Sequence, residues 1–379
     1  MNFNKIVASV IVGGLLFASC KKDEPEEDNE LQIPSSYDGQ NFETNASSQL
    51  ELVQKLGDLS SAMKVGRTDG NNVDKADLDN IFTDGNPSLA DEVTAYYKNR
   101  IEGTAGWFDE LAKASGNGWT PQEPDGMSEG GTFEGYLFDE NGVELEQLIE
   151  KGQFGATLYN HAASLMSGEI SLATVDQLVA VFGAKPAFAN SGSGNVSADD
   201  KDRVMAKYGA RRDKDDGNGM YTQLKEEFIK LQAYVRAGAE YALERDAALD
   251  KIQVLWEKIN AATVINYCHS PISKLSQTNP SDADVSSALH AIAEAIGFIK
   301  GFKTVDPNYR IITDSQIDDI LALFNAPHDD VASVYLFATS PQDELSKLQQ
   351  IITDLQSLYD FSNQEIEDFK SNWVSVQGR

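Results

Sequence analysis

Only two cysteines occur in the 379 residues, Cys20 and Cys268. A chain so supplied cannot knit itself with a disulfide framework, so packing must hold it together. Histidine is nearly as scarce. The four, at 161, 269, 290 and 328, limit any multi-histidine metal site or catalytic triad without forbidding one. Basic residues are outnumbered, 31 Lys+Arg against 60 Asp+Glu, for a formal charge of −29. Such a surface repels phosphate backbones, so nucleic acid is not an expected partner. Beyond the N-terminus no apolar run reaches the 18 residues of a membrane-spanning helix. Missing too are a GxxxxGK[ST] phosphate loop, an HExxH helix, cysteine-based zinc spacing and a G-x-S-x-G elbow. What is present is a 41% hydrophobic composition, enough for a large packed core.

The N-terminus carries the clearest signal. Lys5 precedes an apolar stretch from Ile6 to Phe17, and Ala18-Ser19 then lead into Cys20. The apolar stretch is too short to span a bilayer and has the layout of an export signal. The Leu16-Phe17-Ala18-Ser19-Cys20 run resembles a bacterial lipobox. That resemblance implies removal of residues 1–19 and acylation of Cys20, which would anchor the chain through its buried acyl methylenes. Residues 20–32 are an acidic tether. Lys21-Lys22-Asp23-Glu24 within it is similar to a signal that sends lipoproteins to the outer leaflet in some Gram-negative bacteria.

The body, 33–379, reads as mostly α, a helical bundle or two packed halves with a soft boundary at 185–197. Leu50, Val53, Leu56, Leu59 and Met63 recur at steps of three and four, which predicts one amphipathic helix. Val93, Tyr96, Tyr97, Ile101, Phe108 and Leu111 predict one long helix after Pro87. Residues 115–132, rich in glycine and holding Trp119, predict a loop. A small β-hairpin is expected near 133–145, with Asn141-Gly142 as its turn. Helical spacing returns over 145–166. Further helices are expected at 222–245, 246–268, 283–302, 313–324, 340–359 and 363–374, with Asn279-Pro280-Ser281-Asp282 opening the 283–302 helix.

His290 and Glu294 stand at i and i+4 on that helix, so they share a face. The pair can supply two metal ligands, or a base and its orienting carboxylate. A third group must come from elsewhere, and His161 or Glu240 are the candidates. An ordinary helix-surface or core His–Glu hydrogen bond has the same spacing. The acidic turn at 211–219 invites a calcium reading through Asp213 and Asp215, but both registers fail. One leaves Gly217 at a ligand position, the other Arg212 and Lys214. A solvated turn with local Asp–Arg pairing is the expectation. Cys268, beside His269 and ahead of Pro271 at a helix end, reads as a small core residue.

Several pieces, among them Ile33-Pro34-Ser35-Ser36-Tyr37, Glu150-Lys151-Gly152-Gln153-Phe154-Gly155-Ala156 and the 289–299 run, resemble a family of uncharacterised Gram-negative surface lipoproteins over nearly the whole mature chain. A looser likeness is to imelysin-like proteins, helical exported proteins associated with iron acquisition, whose signature is GxHxxE. Here Ala288 stands for the glycine, and the acid, Glu294, comes four rather than three residues after His290. The resemblance implies an outer-membrane lipoprotein, a binding or accessory component of nutrient capture with iron or haem as cargo. His290 and Glu294 would be the ligands to iron, haem or another divalent metal, and an outer-membrane receptor the partner. The alternatives are a metal-dependent hydrolase using the same pair, or a structural partner of a receptor with no small-molecule site. Cys20→Ser is expected to move the protein from the membrane to the soluble fraction on cell fractionation; retention in the membrane would refute the anchor.

Overall fold

The computed structural model describes residues 31–379 apart from 193, 194, 198 and 329. Cys20, the signal at 1–19 and most of the tether lie outside the described residues. Of the structure, 63% is helical, with one two-stranded hairpin at 131–138. No helix among the described residues is long and apolar enough to cross a membrane.

The helices that build the interior are α1 (Ser47–Lys64), α2 (Leu145–Gln153), α3 (Asn160–Met166), α4 (Leu172–Phe182), α5 (Val204–Arg212), α6 (Met220–Ala237), α7 (Ala242–Leu275), α8 (Asp282–Lys300) and α9 (Pro341–Tyr359). At the centre is α7, 34 residues long, which packs against α5, α6, α8 and α9. Its buried face carries Ile252, Trp256, Ile259, Val264, Ile265 and Cys268. Burial pushes the Cys268 thiol up, so it stays a neutral core group. The break between α6 and α7 falls at Gly238, whose φ of 108° suits glycine and stops the helix earlier than the expected 245. Nor does α7 end near Cys268: it runs through Pro271 to Leu275, which is buried. Packing of that last turn outweighs the one hydrogen bond that proline removes.

Capping chemistry sets α8 in place. The Ser281 hydroxyl accepts from the Asp284 amide while the Asp284 carboxylate accepts from the Ser281 amide, a reciprocal capping box. Leu289, Ile292, Ile296 and Ile299 then face the core. Along its opposite flank α8 meets α2 through glycines. A Cβ on Gly152 would overlap the Tyr97 hydroxyl, and one on Gly301 would overlap the Gly152 carbonyl. A Cβ on Gly297 would lie 2.9 Å from the Gln147 carbonyl oxygen. Four bare backbones (Gly155 is the fourth, against Gly301) therefore let two helices approach more closely than side chains would allow.

Helix α2 runs through a six-residue π segment, Phe154–Tyr159, into α3. The single long helix expected after Pro87 is instead three short ones, Leu89–Glu92, Ala95–Glu102 and Trp107–Ala114. Val93 and Thr94 are extended there because the Thr94 amide donates to the Ala156 carbonyl at 2.9 Å. The hairpin pairs Gly131–Phe133 with Tyr136–Phe138, and Glu134-Gly135, both at positive φ, make its turn. Asn141-Gly142 serves a different turn, in which the Asp139 carboxylate accepts from the Asn141 and Val143 amides. Trp119 is 7% exposed and packs on Phe133 and Phe138, so it fastens the 115–132 loop to the hairpin.

Gly152→Ala is expected to destabilise the fold by about 1–3 kcal/mol, since overpacking at a tight helix crossing cannot relax without moving backbone. Urea denaturation measures it; an unchanged midpoint would refute the close-packed seam.

Candidate functional site

Chemistry-bearing side chains converge in a cleft of about 660 Å³ bordered by α1, α2, α5, α7 and α8. From α8 come His290 and Glu294, and from α2 Gln147, Glu150 and Lys151. Lys64 closes α1, and Arg67 follows it in a short turn. The segment 201–211 supplies Lys201, Arg203, Lys207, Tyr208 and Arg211. That segment is held by buried Asp202, which accepts from the Ser191 amide at 2.8 Å and the Tyr221 hydroxyl at 2.7 Å. The Arg203 amide donates to the Gly183 carbonyl, where a φ of 96° turns the chain at the end of α4.

His290 is tied on both ring nitrogens. Its Nδ1 lies 2.5 Å from Glu144 Oε2 and its Nε2 lies 3.5 Å from Glu294 Oε2. The ring stacks on Tyr136 with centroids 4.4 Å apart. Glu144 is fully buried, and its other oxygen meets Arg67 at 2.6 Å. Arg67 also pairs with Glu146. Burial works to lower the His290 pKa, but the Glu144 charge and hydrogen bond, and then Glu294, outweigh it and hold the imidazole above its usual range.

Farther along α2 the charges continue. Lys151, only 4% exposed, meets Glu150 at 3.0 Å and Glu294 at 3.6 Å. Burial favours the neutral amine there, yet Glu150 and Glu294 overcome it and keep Lys151 protonated. Glu146 is pushed up by burial and then by its neighbours Glu150 and Glu144. Burial acts to raise Glu150 too, but Lys151 and Lys64 prevail and hold it low. The carboxylates of this wall are thus answered charge for charge by Lys64, Arg67, Lys151 and His290.

The 201–211 wall is different. Among the described residues, no carboxylate forms an ion pair with Lys201, Arg203, Lys207 or Arg211; Arg211 instead lies over the Tyr208 ring at 4.9 Å. Burial, and then repulsion by Arg211, Lys151 and Lys201, lowers Lys207 to about 8. Cations set so close together with no carboxylate paired to them create a local positive potential inside an acidic protein.

The other expected ligands lie elsewhere. His161 is on α3, with Nδ1 at 2.7 Å from Glu92 and Nε2 at 3.1 Å from the Gln49 amide nitrogen. In an unbroken α-helix it would fall seven residues, two turns, after the cleft residue Phe154 and share its face. The π segment between them adds a residue and rotates the downstream turns of helix by about 100°. Glu240 sits exposed in the short turn Ala239–Tyr241 and does not line the cleft. Among the described residues, no group of three or more His, Cys, Asp or Glu side chains is placed to hold a metal ion.

Asp213 and Asp215 are engaged within their own turn. Fully buried Asp213 accepts from the Asp215 amide at 2.6 Å, and from the amide and hydroxyl of Thr222 at 2.8 and 3.0 Å. One oxygen closes the turn on Asp215 and the other caps the start of α6. Local Asp–Arg side-chain pairing is not what forms here, since Arg212 turns to the Phe369 carbonyl.

Glu144→Gln is expected to destabilise the fold by about 3 kcal/mol, because Arg67 and His290 lose a buried partner. A raised imidazole pKa contributes stability that is complete below its ordinary value and lost as pH rises through the raised one. The deficit of the variant should therefore be largest in mild acid and narrow with rising pH. NMR titration of His290 checks the cause: the midpoint should fall in the variant, and an unshifted midpoint would refute the pairing.

The chain matches no family model, and no curated protein and no solved structure matches it.

Proposed function

We propose that this protein is a lipid-anchored, exported binding component of nutrient capture whose cleft takes an anionic ligand. One observation carries the reading. Seven of its 31 Lys+Arg residues line a single cleft in a chain with 60 acids, and four of the seven have no carboxylate paired to them among the described residues. Burying cations and gathering them together costs free energy, as Lys207, lowered first by burial and then by its cationic neighbours, shows, and a bound anion relieves it. A bare metal cation is poorly served by the same wall. Iron or haem, the cargo that the likeness to imelysin-like proteins implies, would enter such a cleft as an anion. Ferric ion would arrive wrapped in a carboxylate chelator, and haem would lead with its propionates. Delivery to an outer-membrane receptor, with Cys20 as the tether point, completes the proposal.

Calorimetric titration of the purified protein with citrate, ferric citrate, haem, inorganic phosphate and calcium chloride tests it. At least one anion should bind, more weakly as salt rises, and a Lys207→Met/Arg211→Met variant should lose about tenfold or more in affinity, as expected for charge-assisted hydrogen bonds. Tight binding of calcium with no response to any of the anions would overturn the reading.

A further inference from the structure

The two walls of the cleft differ in what they have left to offer. The 201–211 wall offers unpaired positive charge. The α2–α8 wall is internally balanced, with Glu144, Glu146, Glu150 and Glu294 set against Lys64, Arg67, Lys151 and His290. Neither a second carboxylate nor an ammonium group gains much by docking on a neutralised wall.

That wall does hold spare hydrogen-bond acceptors. Glu294 is 5% exposed, and its three contacts, to Tyr208, His290 and Lys151, are all long at 3.4, 3.5 and 3.6 Å. A buried carboxylate normally gathers donors at 2.7–2.9 Å. Gln147, 2% exposed, also lines the cleft; its amide nitrogen donates to Glu146, and its Oε1 has no hydrogen-bond donor. An acceptor left in this condition is costly, and the cost is removed by a ligand that brings a donor.

We infer that the ligand is a hydroxylated anion: a carboxylate or phosphate head held by Lys201, Arg203, Lys207 and Arg211, joined to an uncharged body whose hydroxyls donate to Glu294 and Gln147. Hydroxycarboxylates and sugar phosphates have this layout. Simple anions, amino acids and bare metal ions do not. The inference rests on the anion-binding reading above and adds the identity of the body.

Two matched pairs test it on the purified protein by calorimetry. Gluconate and hexanoate each carry one carboxylate, on a hydroxylated and a bare six-carbon chain; glucose 6-phosphate and inorganic phosphate make the comparison with a phosphate head. The hydroxylated member of at least one pair should bind roughly tenfold to a hundredfold tighter, the difference a charge-assisted hydrogen bond makes. Whichever pair responds identifies the head. Glu294→Gln should shrink that ratio, while Lys207→Met should weaken both members of the gluconate pair alike. Equal affinities within both pairs overturn the hydroxyl assignment and leave the anion reading standing. Failure of all four to bind overturns this inference; failure of citrate, ferric citrate and haem as well overturns the anion reading.

Discussion

A carboxylate withdrawn from water must be answered by positive charge or give up its own, and Glu144 is the point at which this chain meets that demand. It stands just before α2, fully buried, with Arg67 on one oxygen and His290 on the other. Those partners come from the turn after α1 and from the middle of α8. One buried charge therefore fixes three stretches of chain that lie far apart in sequence. Because both partners are also drawn to second acids, Glu146 and Glu294, the alignment extends along α2 as far as Lys151.

The glycine seam makes that alignment possible. Side chains at 152, 155, 297 and 301 would push α8 away from α2, and the distances between Lys151, Glu150 and Glu294 would open with them. The seam and the ion network are two aspects of one constraint, in which backbones approach closely so that charges can find one another.

Much of the framework was legible in the sequence, because helical periodicity is a local property. The α1 face, the Ser281 start of α8 and the shared face of His290 and Glu294 follow from spacing and capping chemistry. The breaks did not, since they answer to distant partners: the Thr94 amide leaves its helix for Ala156. Of the site, one pair could be read. Arg67, Glu144, Lys151 and Lys207 gave no signal of their own, because single charges in an acidic, lysine-bearing chain look alike until the fold selects them. The π segment that carries His161 away from the cleft likewise has no marker in composition or period.

The contrast between the acidic body and its basic cleft has a kinetic side. An anion some distance away meets the field of a chain with a net charge of −29 and is repelled; only within roughly 8 Å, about a Debye length at physiological salt, does the cleft dominate. Dissolved salt then acts in opposite directions on arrival and residence. It hides the body and quickens the approach, and it weakens the cleft and shortens the stay. Raising ionic strength therefore speeds the exchange of any anion held in such a cleft.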